Sequence, residues 1–129
     1  MTELDKDIIM AAADKISHDA EAFAVYMIHD SESIHFIAAS KDEITSEKLY
    51  EISYDISAML NHNVEVLDMG MFSIPDKVRI ISNAALVHSE NEFQQKLMET
   101  ETLLAYQMHD REKNHIFERK KNYGSFYLQ

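Results

Sequence analysis

Apolar positions recur along the chain in two periods, and their alternation predicts a mixed α/β (α+β) order. Near the amino end Leu4, Ile8, Ala12 and Ile16 share one stripe, widened by Ile9 and Ala13, which is the 3.6-residue period of a helix buried on one side. Thr2 offers a capping hydroxyl, and this helix is expected to end near His18. Two β-type runs follow, Phe23 to Ile28 and Ile34 to Ala39. The polar stretch His29-Asp30-Ser31-Glu32-Ser33 between them predicts an antiparallel hairpin. Leu49, Ile52, Ile56 and Met59 or Leu60 form a second helical stripe, started by Ser40 with Glu43 or by Thr45 and stopped by Asn61-His62-Asn63.

Val64 to Met69 reads as a third strand, with a turn at Gly70. Ser73-Ile74-Pro75-Asp76 combines a capping hydroxyl, a first-turn proline and an early carboxylate, and so opens a short helix running to about Asn83. Ala85 to His88 is a short strand. Ser89 with Glu92 fits a capping box before the longest helical pattern, with Phe93, Leu97, Leu104 and Met108 on one side and an end near Arg119. Met59, Met69, Met71, Met98 and Met108 read as core residues. Tyr123, Phe126 and Tyr127 surround the breaker Gly124, placed to fold back on the body or to dock on another chain.

Length and composition narrow this picture. A chain of 129 residues supports one core, taken as a single domain over 1–120 with a tail over 121–129. Apolar residues make up 46% of it, with two glycines and one proline, which suits regular structure around a buried core. No apolar run reaches the roughly 20 residues that span a bilayer, and the first residues are acidic where a secretory leader is basic, so a cytoplasmic protein without membrane contact is expected. The absence of cysteine excludes disulfides and thiolate chemistry.

The net charge of −11 opposes a sequence-independent grip on nucleic acid, and no direct nucleic acid partner is expected. Residues 111–121 depart from it, with five bases against two acids, a balance of +3 that leaves −14 on residues 1–110. The simplest reading is a solvated helix end whose cations favour the helix carboxyl terminus.

Seven histidines raise the question of a metal. His29 and His35 flank the hairpin turn and could face each other, with His88 on a neighbouring strand, but no helix carries a paired-histidine signature. His109 and His115 share no face. Serine, histidine and aspartate all occur, yet no serine stands in a G-x-S-x-G turn. Arg111 and His115 are similar in outline to the Arg and His motif of HEPN ribonucleases, at shorter spacing, and read as one turn of an exposed helix.

The order of elements, and the stretch from Asn63 to Asp68 through Ile74-Pro75-Asp76 to His88, resembles the minimal nucleotidyltransferase (MNT) family, small relatives of the DNA polymerase beta fold. The resemblance spans roughly residues 20–110. It implies a small mixed sheet flanked by helices with a long carboxyl-terminal helix. It also implies where chemistry would lie: a Gly-Ser turn after the first strand, a D-x-D pair opening the second, and a third carboxylate on the next. Two divalent cations on nucleotide phosphates need that many oxygen ligands close together.

In this chain the Gly-Ser position falls at His29-Asp30, and the D-x-D pair falls at Ser33-Ile34-His35. Glu65 alone keeps a carboxylate at a ligand position, so Glu65, His29 and His35 are the metal candidates of a degenerate motif made of His29, Asp30, Ser33, His35 and Glu65. No catalytic residue is assigned, and neither magnesium nor ATP is expected. MNT proteins commonly accompany HEPN toxins as antitoxins, some of them nucleotidylating the toxin. The resemblance therefore implies an inactive member that binds a protein partner, possible contacts being Leu104, Met108, Tyr123, Phe126 and Tyr127. The alternatives are a self-associating module, or a residual metal-dependent nucleotidyltransferase using Glu65 with Asp68 or Asp30.

Overall fold

The structure, a computed structural model, describes residues 5–122, with side chains through Met108. Its elements run α1 (Lys6–Ala20), β1 (Ala22–His29), β2 (Ser33–Ser40), α2 (Ser46–Leu60), β3 (Asn63–Asp68), a 3-10 turn (Met69–Met71), α3 (Ile74–Asn83), β4 (Ala85–Ser89) and α4 (Glu92–Asn122). The strands form one sheet in the order β3-β2-β1-β4. β1 pairs antiparallel with both β2 and β4, whereas β2 and β3 are parallel, joined by the α2 crossover. The predicted mixed sheet with flanking helices and a long last helix is therefore the observed fold.

Helix ends show which capping signals won. Asp5, not Thr2, caps α1 by accepting from the Asp7 amide at 2.9 Å. The helix runs past His18 to Ala20 and closes on Glu21 in the left-handed region at φ 53°. Thr45 caps α2, accepting from the Lys48 amide, while Ser40 belongs to β2. Asn61 closes α2 at φ 52° and Ser73 caps α3, both as the sequence predicts. The proposed Ser89–Glu92 box does not form. Asn91 caps α4 by accepting from the Gln94 amide at 3.1 Å, and the Ser89 hydroxyl donates to Gln95 Oε1 instead.

Strand alternation gives the sheet two different faces. One is covered by α1 and α2, where Ala12, Ala13, Ile16, Ile52, Ile56 and Leu60 meet Val25, Ile34, Phe36, Ala38, Val64 and Val66. At about 1.5–3 kcal/mol for each large apolar side chain withdrawn from water, this is the main apolar core. The other face is smaller: Ala24, Tyr26, Ile37, Ala39 and Met69 pack with Ile80 of α3 and, partly buried, Leu67 and Met98. It covers only one end of the sheet.

The least expected placement is that of α4. Phe93, Leu97, Leu104 and Met108, predicted to form its buried side, are 75%, 45%, 53% and 62% exposed. The inward positions are Gln95 and Thr102, both buried, with Met98 and Glu99 partly so. A polar contact crosses this seam, Tyr26 donating its hydroxyl to Glu99 Oε2, while the Thr102 hydroxyl is satisfied within α4 by donating back to the Met98 carbonyl at 2.8 Å. The methionine reading is corrected with it. Met69 is buried and Met98 partly so, whereas Met59, Met71 and Met108 face solvent. Tyr123, Phe126 and Tyr127 lie outside the described residues.

Candidate functional site

The uncovered end of the second sheet face gathers four of the five degenerate motif residues. Asp30 follows β1, Ser33 and His35 stand two apart on β2 and so share a side, and Glu65 lies directly opposite His35 in the parallel β2–β3 pair. Asp30 is first a hairpin lock. Its Oδ1 accepts from the amides of Glu32 at 2.9 Å and Ser33 at 2.8 Å, and the Asp30 amide donates to the Ser33 carbonyl. Those backbone donors hold its carboxyl below the usual carboxylate range, with help from the Ser33 hydroxyl and His35.

His35 sits between Glu65 on one side and Ser33 with Asp30 on the other. Its Nδ1 lies 3.2 Å from Glu65 Oε1, and its Nε2 lies 3.2 Å from Ser33 Oγ and 3.9 Å from Asp30 Oδ2. With Glu65 accepting from Nδ1, Nε2 is free to accept from the serine hydroxyl, the connectivity of a Ser-His-carboxylate relay. One neighbour opposes it. Both Asp30 oxygens lie within 3.4 Å of the same hydroxyl, competing for its proton and placing negative charge where an oxyanion would have to form.

The same donor set does not fit a pair of hard cations. Glu65 is engaged by His35 and Asp30 by two amides, and Ser33 and His35 offer a hydroxyl and an imidazole, not carboxylates. Asp68, the other acid considered beside Glu65, is buried. It falls on the opposite sheet face by alternation and accepts from the amides of Ile44 at 3.1 Å and Gly70 at 3.0 Å. That role shapes the turn after β3 and leaves Asp68 no part in a site with Glu65.

His29 is not in the cluster. It pairs with Ile34, whereas His35 pairs with Ile28, so the two histidines point to opposite faces and cannot share an ion. His29 instead meets His62 edge to face, with ring centroids 6.5 Å apart. His88 pairs with Val25, four residues along β1 from His29, and meets Asp14 and Glu90. No spacing in the sequence joins Asp14 of α1 to β4. Only the packing of α1 against the sheet does.

No protein-family model matches the chain, and no curated protein matches it in sequence. Solved structures do match in fold. One chain of a HEPN toxin in complex with MNT antitoxin from Shewanella oneidensis, the toxin being tri-AMPylated, aligns at a TM-score of 0.71 and 14% identity, over 89% of this chain and 98% of that one. A chain of the toxin–antitoxin pair MntA–HepT aligns at 0.69 and 14% identity, over 88% and 97%. A toxin–antitoxin complex with AMP-PNP aligns at 0.68 and 14%, over 85% and 96%. The fold is therefore that of the minimal nucleotidyltransferases. It is shared at nearly full length, with little sequence in common.

Proposed function

We propose that this chain is an antitoxin-type binding protein that neutralises a HEPN-type toxin by covering it, without nucleotidyl transfer. The observation that carries the reading is the outer side of α4, where Phe93, Leu97, Leu104 and Met108 stand exposed along one helix. A row of large apolar side chains at helical spacing is the form in which a helix meets a groove or another helix. The similar folds found in HEPN–MNT complexes suggest which partner fits it. The acidic body favours encounter with a basic, RNA-directed surface, and the buried apolar row would supply affinity. A cytoplasmic site of action belongs to this reading, as does the absence of a metal or nucleotide requirement.

Purification from the native host tests it. A HEPN-type protein is expected to co-purify with the chain and to be lost from the double variant Leu97→Asp/Leu104→Asp. Loss of one central apolar anchor typically costs about 2 kcal/mol or more, roughly 30-fold in affinity. Recovery of the chain alone as a stable homodimer by light scattering would favour the second reading, in which the same α4 row pairs with its own copy.

A further inference from the structure

Away from the motif cluster, on the α1 side of the sheet, three potential ligands converge from two separate segments, α1 and the end of β4 with the turn that follows it. His88 Nε2 lies 3.0 Å from Glu90 Oε2 and 3.8 Å from Asp14 Oδ1, and all three ligand atoms fall within 4.8 Å of one another. Among the described residues this is the one group with such convergence. We infer that Asp14, His88 and Glu90 form a binding site for a single divalent cation of the zinc class, unrelated to the nucleotidyltransferase position.

The positions are set by the fold. His88 is held in β4 opposite Val25, beside a register shift in the β1–β4 pair, and its side chain is only 20% exposed. Glu90 follows immediately, in a turn whose amides at Glu90 and Asn91 both donate to the Phe23 carbonyl, at 2.8 and 3.3 Å. Asp14 projects from α1 next to Ala13, Ile16 and Ser17, which are buried and fix the helix against the sheet. A site built on rigid elements needs little reorganisation on binding.

Charge and chemistry then select the ion. In the described ion pairs of Asp14 and Glu90 the partner is His88 in both cases, so two carboxylates share one imidazole. A cation placed among them would relieve their mutual repulsion. His18, Glu21 and Lys41 line the adjoining cavity, with Lys41 the opposing charge there. One imidazole nitrogen with two carboxylate oxygens suits zinc above magnesium or calcium, which take all-oxygen sets. Bonds of about 2.0–2.2 Å place ligand atoms roughly 3–4 Å apart, so closure asks only for small rotations of the two exposed carboxylates. The bound ion would tie α1 to the β4–α4 turn.

Calorimetric titration of chelator-treated full-length chain with zinc chloride tests the site. One equivalent is expected to bind, and His88→Ala and Glu90→Gln should each weaken it about 10-fold or more, while His35→Ala leaves it unchanged. Zinc should raise the thermal midpoint of the parent chain, and equal magnesium should not. Glu90 is exposed, so Glu90→Gln preserves the test if His88→Ala misfolds. No binding at millimolar zinc, binding equal in Glu90→Gln and the parent, or binding abolished by His35→Ala would each overturn the assignment. None of these results depends on the identity of a protein partner.

Discussion

Helices α2 and α4 each carry a row of large apolar side chains, and the two rows have opposite fates. α2 turns Ile52, Ile56 and Leu60 into the main core and leaves Tyr50 and Tyr54 outside. α4 turns Gln95, Met98, Glu99 and Thr102 inward and leaves Phe93, Leu97, Leu104 and Met108 outside. The difference lies in what each helix finds on the sheet. α2 meets Val64, Val66, Ile34 and Phe36, an apolar surface that rewards apolar side chains. α4 meets the hydroxyl end of Tyr26, which needs a polar partner once buried. Periodicity shows that a helix has an apolar side, and the surface available inside the fold decides whether that side is buried at home or offered to another molecule.

The largest effect that would sharpen this contrast is on folding stability. Ile56→Ala should cost about 2–5 kcal/mol in urea unfolding, as buried aliphatic truncations do. Leu104→Ala should stay within about 0.5 kcal/mol of the parent, as exposed substitutions do. Similar losses from the two would mean that the α4 row is buried within this chain after all.

A smaller effect is expected at the polar seam. Tyr26 is 1% exposed, and burial, reinforced by the hydrogen bond to Glu99, pushes its hydroxyl pKa well upward. Tyr26→Phe should therefore cost about 1.5–3 kcal/mol, the range for a hydrogen bond to a charged group. Because the folded pKa is raised, the proton's contribution is complete below the unfolded value near pH 10 and is lost as pH rises above it. Urea midpoints across pH 8 to 11 should fall more steeply in the parent than in Tyr26→Phe. Equal slopes would remove α4's polar anchor from the explanation.

The smallest effect belongs to the hairpin. Asp30 is held below its usual range by backbone donors, so its contribution is present at neutral pH and is lost as pH falls through the folded value. Asp30→Asn should flatten that acid-side loss and speed amide exchange at Glu32 and Ser33, whose N–H groups the carboxylate accepts. Unchanged exchange at both amides would contradict the turn-lock role.

These contrasts also show what the sequence makes legible. Every strand and helix lies where apolar period and capping chemistry predict it, with ends shifted where two caps competed, such as Asp5 over Thr2 and Asn91 over Ser89, but the side of α4 that is buried is the reverse of the predicted one. Ser33, His35 and Glu65 were grouped in the sequence only through the family resemblance, and it is the parallel β2–β3 register that sets them side by side. Three further placements were not legible. The opposition of His29 and His35 depends on a one-residue register, the turn role of Asp68 on a distant amide at Ile44, and the approach of Asp14 to His88 on how α1 lies against β4.

The proposed function has the partner bound and left chemically unchanged, because Ser33 and His35 stand where the resembled family carries its D-x-D pair. Incubating the co-purified complex with magnesium and ATP and weighing the intact partner by mass spectrometry tests this directly. A partner mass identical before and after incubation is expected. A gain corresponding to one or more AMP groups, lost in Glu65→Gln, would contradict it.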